Sequence, residues 1–147
     1  MAHVRKQIRD RIASVVSTGA TLVSGRVYTT RVYPLTTANL PAITVYTGGE
    51  TSGLQTMGVK TLMRELQVAV DVYVSATSTT DDDVDAIAVQ IEEAIANDFD
   101  VNGLAKRVVL VSTDIDFSGE TEQPIGIARL TFSVSYITAI NDVETAR

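Results

Sequence analysis

Cysteine is absent from this 147-residue chain, tryptophan is absent, and histidine occurs once, at His3. Without cysteine there is no disulfide framework and no thiolate metal centre. A chain free of cysteine fits a reducing compartment. General-base catalysis needs an imidazole held within hydrogen-bond reach of its partner, and a position two residues from the start of the chain is a poor place to hold one. The usual nucleophile–base pairings therefore lack their base. No apolar run approaches the roughly 20 residues that span a bilayer. Arg5 and Lys6 are not followed by the apolar stretch of a secretory signal. The expectation is a soluble, intracellular protein with no membrane partner.

The chain carries 12 basic and 18 acidic residues, a net charge of −6. Dedicated nucleic-acid binders are usually strongly basic, so sequence-specific recognition of nucleic acid is not expected. The charge is uneven. Residues 1–33 hold Arg5, Lys6, Arg9, Arg11, Arg26 and Arg31 against Asp10 alone, and the remainder is acidic. Such a distribution either keeps the surface hydrated or draws copies together, basic end to acidic body. The residues expected at a contact of that kind are Arg5, Arg9 and Arg31 on one side and Asp114, Asp116, Glu120 and Glu122 on the other.

At 147 residues the length suits one domain with a core of its own. Val4, Ile8, Ile12 and Val15 or Val16 recur at helical spacing, and the stripe ends near Gly19. Short β-prone pieces follow at Gly25–Tyr33 and Ala42–Thr47, punctuated by Pro34 and Pro41. Residues 48–60, rich in glycine, read as a flexible loop. Leu62, Leu66, Val68, Val70, Val72 and Val74 alternate as one face of a strand, broken by Arg64, with Glu65, Gln67, Asp71 and Tyr73 on the other face. Val84, Ile87, Ala88, Ile91 and Ile95 make a second helical stripe behind the capping acids Asp81, Asp82 and Asp83. Two strands, 107–116 and 125–138, close the pattern across a flexible loop at 117–124, and residues 141–147 are expected to fray. The predicted architecture is a single α+β domain: a mostly antiparallel four- to five-stranded sheet with two helices packed on one face.

Three segments invite a chemical reading. Gly53 and Gly58 with Lys60 resemble a phosphate loop, but Val59 separates the lysine from the second glycine and a strand follows where a helix is needed. Asp81–Asp85 lacks the glycine at the sixth position of a calcium loop, where Ala86 stands, so helix capping explains it. Asp114 and Asp116 project to one face of a strand, with Glu120 and Glu122 beyond. That set reads either as a strand end entering a solvated loop or as the metal site of a small cytoplasmic enzyme. The first reading is preferred, so no catalytic residue, cofactor or metal is expected.

The order and wording of these segments resemble the tail terminator, or tail completion, proteins of long-tailed bacteriophages, the minor tail protein U-like group. The resemblance rests on Leu40–Thr47, on the strand beginning Arg64-Glu65-Leu66, on the helix Asp82–Ala96, and most specifically on Gln123–Phe132 running into Val134-Ser135-Tyr136. It implies a structural virion protein at the head-proximal end of the tail, assembled in the host cytoplasm. Such a protein forms a homo-oligomeric ring, usually a hexamer, whose partners are the tail tube protein and the head-completion or connector protein. It implies no enzymatic residues. A head–tail adaptor or a tube protein of the same particle is the alternative within that setting.

Overall fold

The computed structural model describes residues 2–23, 25–29, 40–54, 60–75, 80–118 and 125–147. Helix α1 (Val4–Gly19) buries Val4, Ile8, Ile12, Ala13 and Val16, the stripe that the spacing predicts. A short 3-10 turn (Thr21–Val23) leads to β1 (Val27–Tyr28). The long strands β2 (Ala42–Leu54) and β3 (Thr61–Ser75) come next, then helix α2 (Thr80–Ala96), β4 (Arg107–Ser118), β5 (Ile125–Ala139) and β6 (Asp142–Ala146). The sheet order is β1-β2-β3-β5-β4, with β6 pairing β5, and every pairing except β1 with β2 is antiparallel.

Alternation along the strands gives the sheet its two faces. Leu66, Val68, Val70, Val72 and Val74 of β3 and Ala128, Leu130, Phe132, Val134 and Tyr136 of β5 are buried. They join the apolar stripes of both helices in one core cluster. Both helices therefore pack on one face of a mostly antiparallel sheet, as the pattern predicts. The turn after α2 takes Val101, Asn102 and Gly103 in succession into the left-handed region, with φ of 50°, 56° and 82°. A β-branched residue is rarely found there. Val101 is buried, so core packing holds a conformation that its own side chain disfavours.

Three expectations for irregular segments are corrected. Residues 48–54 are not a loop: β2 continues through them and stays paired to β3 as far as Leu54 opposite Leu62. The ladder shifts register between Thr47 and Glu50, so Gly48 and Gly49 form a bulge rather than a hinge. The chain after Asn141 does not fray, because β6 pairs back on β5. Likewise Phe117 and Ser118 extend β4, pairing with Gly126 and Ile125. Residues 55–59 and 119–124, the rest of the two expected loops, lie outside the described residues.

The helices touch at Gly19. A Cβ built there would lie 2.5 Å from the Cβ of Ala94, closer than carbon atoms approach, so the glycine both ends α1 and lets α2 pass. Gly19→Ala should destabilise the protein by about 1–3 kcal/mol through overpacking. Adding Ala94→Gly should recover most of that loss, read as urea midpoints of the single and double variants. Ile91, mid-stripe on α2 and wholly buried, supplies a harsher probe. Its replacement by Asp removes about 2–5 kcal/mol of packing before the buried charge is counted. An unaltered melting temperature would place that stripe in water.

Candidate interaction surface and its buried charges

Among the described residues two carboxylate side chains, one on each side of the sheet, are largely buried and engaged by several neighbours. Glu50 sits on the helix-covered side. The bulge at Gly48-Gly49 puts it there: Glu50 stands opposite Leu66, a core residue of β3, where an unbroken register would have turned it outward. Its Oε2 accepts from Arg5 Nη1 of α1 at 3.0 Å and from Arg64 Nη1 of β3 at 3.3 Å. The Tyr136 hydroxyl donates to Oε1. Arg64 Nε donates to Thr138 Oγ1 at 3.0 Å, and the guanidinium lies 6.0 Å from the Tyr136 ring. Burial, helped by the hydrogen bond to Glu50, pushes the Tyr136 phenol above its ordinary pKa and keeps it a donor. The arginine that interrupts the apolar alternation of β3 is thus a core residue with a buried partner.

Asp71 occupies the opposite face of the sheet. It is only 1% exposed. Arg129 grips it through Nε at 2.9 Å and Nη2 at 3.1 Å, and the Tyr46 hydroxyl donates at 3.0 Å. Arg129 lies 5.9 Å from the Tyr46 ring. Its pKa is raised first by the hydrogen bond to Asp71 and then by the charge of that carboxylate.

The basic segment of α1 is largely committed inside the chain. Arg5 holds Glu50, Lys6 Nζ meets Asp10 at 2.6 Å, and Arg11 joins Asp98 in the turn after α2 at 2.9 Å. Arg26 donates to the carbonyl of Pro41. Arg9 is less firmly held: it approaches Asp10 at 3.9 Å, and its Nε is buried without a hydrogen-bond partner. Asp114 and Asp116 are exposed on β4, opposite Arg129 and Ile127 of β5. Arg31, Glu120 and Glu122 lie outside the described residues. Within one chain Arg5 and Arg9 are not brought to Asp114 and Asp116, because α1 packs on β1 and β2 while β4 is the far edge of the sheet. Among the described residues no three acidic or histidine side chains gather as a metal site.

Residues 1–136 match the family described as phage minor tail protein U. The chain belongs to that family. This member is accordingly a phage tail structural protein, and the family accounts for all but the last residues of the sheet, β6 included. No match was found among curated proteins. Among solved structures, the chain is similar to one in the virion of a native gene transfer agent particle, with 16% identity, a TM-score of 0.41 and 90% of each chain covered.

Two measurements test the buried charges of this minor tail protein U relative. Glu50→Ala leaves Arg64 charged and buried, which should cost about 3–5 kcal/mol, and adding Arg64→Met should restore part of it. The second concerns His3, whose Nδ1 accepts the Arg5 amide at 3.0 Å and caps α1. Burial first, then the charges of Arg5 and Arg64, hold its imidazole below the usual pKa. The folded state therefore favours neutral His3, and its contribution is complete above about pH 6.5, the unfolded value. It is lost as pH falls through the folded pKa. Thermal melts between pH 7.5 and 5 should show this loss, and His3→Asn, which keeps a capping acceptor without titrating, should flatten it.

Proposed function

We propose that this protein is a tail terminator: copies close into a ring, a hexamer, that ends tail-tube polymerisation and offers its other side to the head connector. Family membership over residues 1–136 carries this reading. It acts by assembly and not by catalysis. The two buried carboxylates support this, since each is engaged by arginine and tyrosine.

A ring needs two different surfaces that meet head to tail, because such contacts close when the rotation permits. The charge distribution supplies a pair. The flank of α1 bearing Arg9 is one, with Arg5 and Arg31 as its neighbours in the charge pattern. The acidic half of β4, with Asp114 and Asp116 and the sequence leading to Glu120 and Glu122, is the other. They lie on opposite sides of the sheet, so only a neighbouring copy brings them together. Exposed ion pairs are individually weak, about 0–1 kcal/mol, and are screened beyond about 8 Å at physiological salt. The ring therefore forms at high concentration or on the end of the tube, which presents several contacts at once.

Sedimentation over a range of protein and salt concentrations checks this. The expected result is a species of six times the chain mass that grows at low salt and is lost in Arg9→Glu. Sedimentation as a monomer at millimolar concentration and low salt, with tails of normal length assembled from Arg9→Glu protein, would end the proposal.

A further inference from the structure

Phe99 stands 55% exposed in the turn that follows α2. A single exposed apolar residue calls for no explanation. The turn beneath it does. The Asp98 amide donates to the Ile95 carbonyl at 3.0 Å, the Val101 amide to the Asp98 carbonyl at 2.9 Å, and the Ala105 amide to the Asp100 carbonyl at 2.9 Å. The Asp98 carboxylate accepts from Arg11 of α1 and from the Asn102 amide. Val101 is buried at a positive φ, a conformation that persists only where the surroundings over-determine it. So firmly tied a turn leaves Phe99 little backbone freedom to lose on binding. Aromatic side chains are enriched at interfaces, and an anchor held in place beforehand binds at lower entropic cost.

We infer that Phe99 of one copy inserts into a pocket on the open sheet face of a second copy, with Asp100 meeting the cations on its rim. The pocket holds about 190 Å³ and is lined by Met63, Ile137, Glu65, Ser135, Lys106 and Arg107. Met63 and Ile137 stand opposite each other in the β3–β5 ladder, and Glu65 and Arg107 flank Ser135 from either side. These positions alternate with the core residues Arg64, Leu66, Val108, Val134 and Tyr136, so they share the face away from the helices. The volume suits a phenyl ring, since a cavity of about 150 Å³ accepts benzene. Lys106 and Arg107 outnumber Glu65, and all three are exposed, so the rim is positive. Beside Phe99, Asp98 is spent on Arg11, but Asp100 is exposed and brings the complementary charge.

Within one chain the two parts stay separate. The turn closes α2 and is tied to α1 through Arg11, so Phe99 belongs to the helix layer, and it does not line the pocket on the far face. Knob and pocket are therefore two different patches, and the contact between copies is heterologous. This deepens the ring reading and rests on it for copies meeting head to tail. Exposed ion pairs alone hold such a contact weakly, and a buried aromatic anchor adds the apolar part that they lack.

Photo-cross-linking tests it directly. Benzoylphenylalanine in place of Phe99 keeps an aromatic ring there and, on illumination, bonds to the C–H groups it touches. Isotopically heavy and light copies, mixed at high concentration, should give a mixed-mass product joining residue 99 of one chain to Met63 or Ile137 of the other. Phe99→Ala should leave the melting temperature unchanged and weaken self-association about tenfold or more by sedimentation. Asp100→Lys should weaken it roughly threefold more than Asp100→Asn, because it brings a further cation to Lys106 and Arg107. No cross-link between copies at millimolar protein, or cross-links only to segments away from the pocket, overturns the inference. So does self-association of Phe99→Ala equal to that of the parent protein, a result that leaves the ring itself standing. A cross-link to Met63 or Ile137 in a protein that never reaches six copies keeps this contact and ends the hexamer.

Discussion

Glu50 ties four elements of this fold together. Its carboxylate takes a guanidinium from α1, another from β3 and a phenol from β5, and it comes from the far half of β2. Of the two cations around this carboxylate, Arg5 reaches water while Arg64 is buried, with Thr138 and the Tyr136 ring completing its shell. The geometry over-determines the placement of the helix: α1 cannot slide along the sheet without withdrawing Arg5 from the pair. Hydrophobic burial fixes which side of the sheet the helix covers. The ion network fixes where along the strands it sits, a task that non-directional burial does poorly.

Much of this architecture is readable from periodicity. The stripe of α1, the alternation of β3 and β5, and the acidic start of α2 each express a single repeat, and the structure follows them closely. Reading fails where the repeat is broken. Gly48-Gly49 resembles a hinge because glycine is common in loops, yet in the middle of a ladder the same residues make a bulge. The burial of Asp71 is not legible in the pattern, because two of the residues that bond it, Tyr46 and Arg129, come from other strands and are invisible until the sheet is assembled. Arg64 did carry a signal. An arginine in phase with six apolar neighbours requires a buried acid somewhere, although nothing in the order of residues says which one.

The surface tells a similar story about charge. Counting basic residues near the start of the chain suggests a strongly positive end, but Arg5, Lys6, Arg11 and Arg26 each have a partner within the molecule. Arg9 is left with an unpaired Nε. Net charge by segment therefore overstates what a partner meets, since internal neutralisation removes long-range attraction while leaving the composition unchanged. The face of the sheet away from the helices is also quieter than its residues imply, because Asp71 and Arg129 cancel there.

The two bulges make sidedness a matter of counting. Glu50 reaches the core, and Asp114 reaches the outer face, because one extra residue precedes each in its ladder. A deletion of a single codon at Gly49 or Val111 would leave the composition, hydrophobicity and helix content almost untouched. It would nevertheless turn every later side chain of that strand half a turn, carrying a buried acid into water or surface acids into the core. Substitutions in these segments are local events; changes of length by one are not, and changes by two restore the phase. Related chains should accordingly vary freely in residue identity around these points while keeping the parity of their spacing.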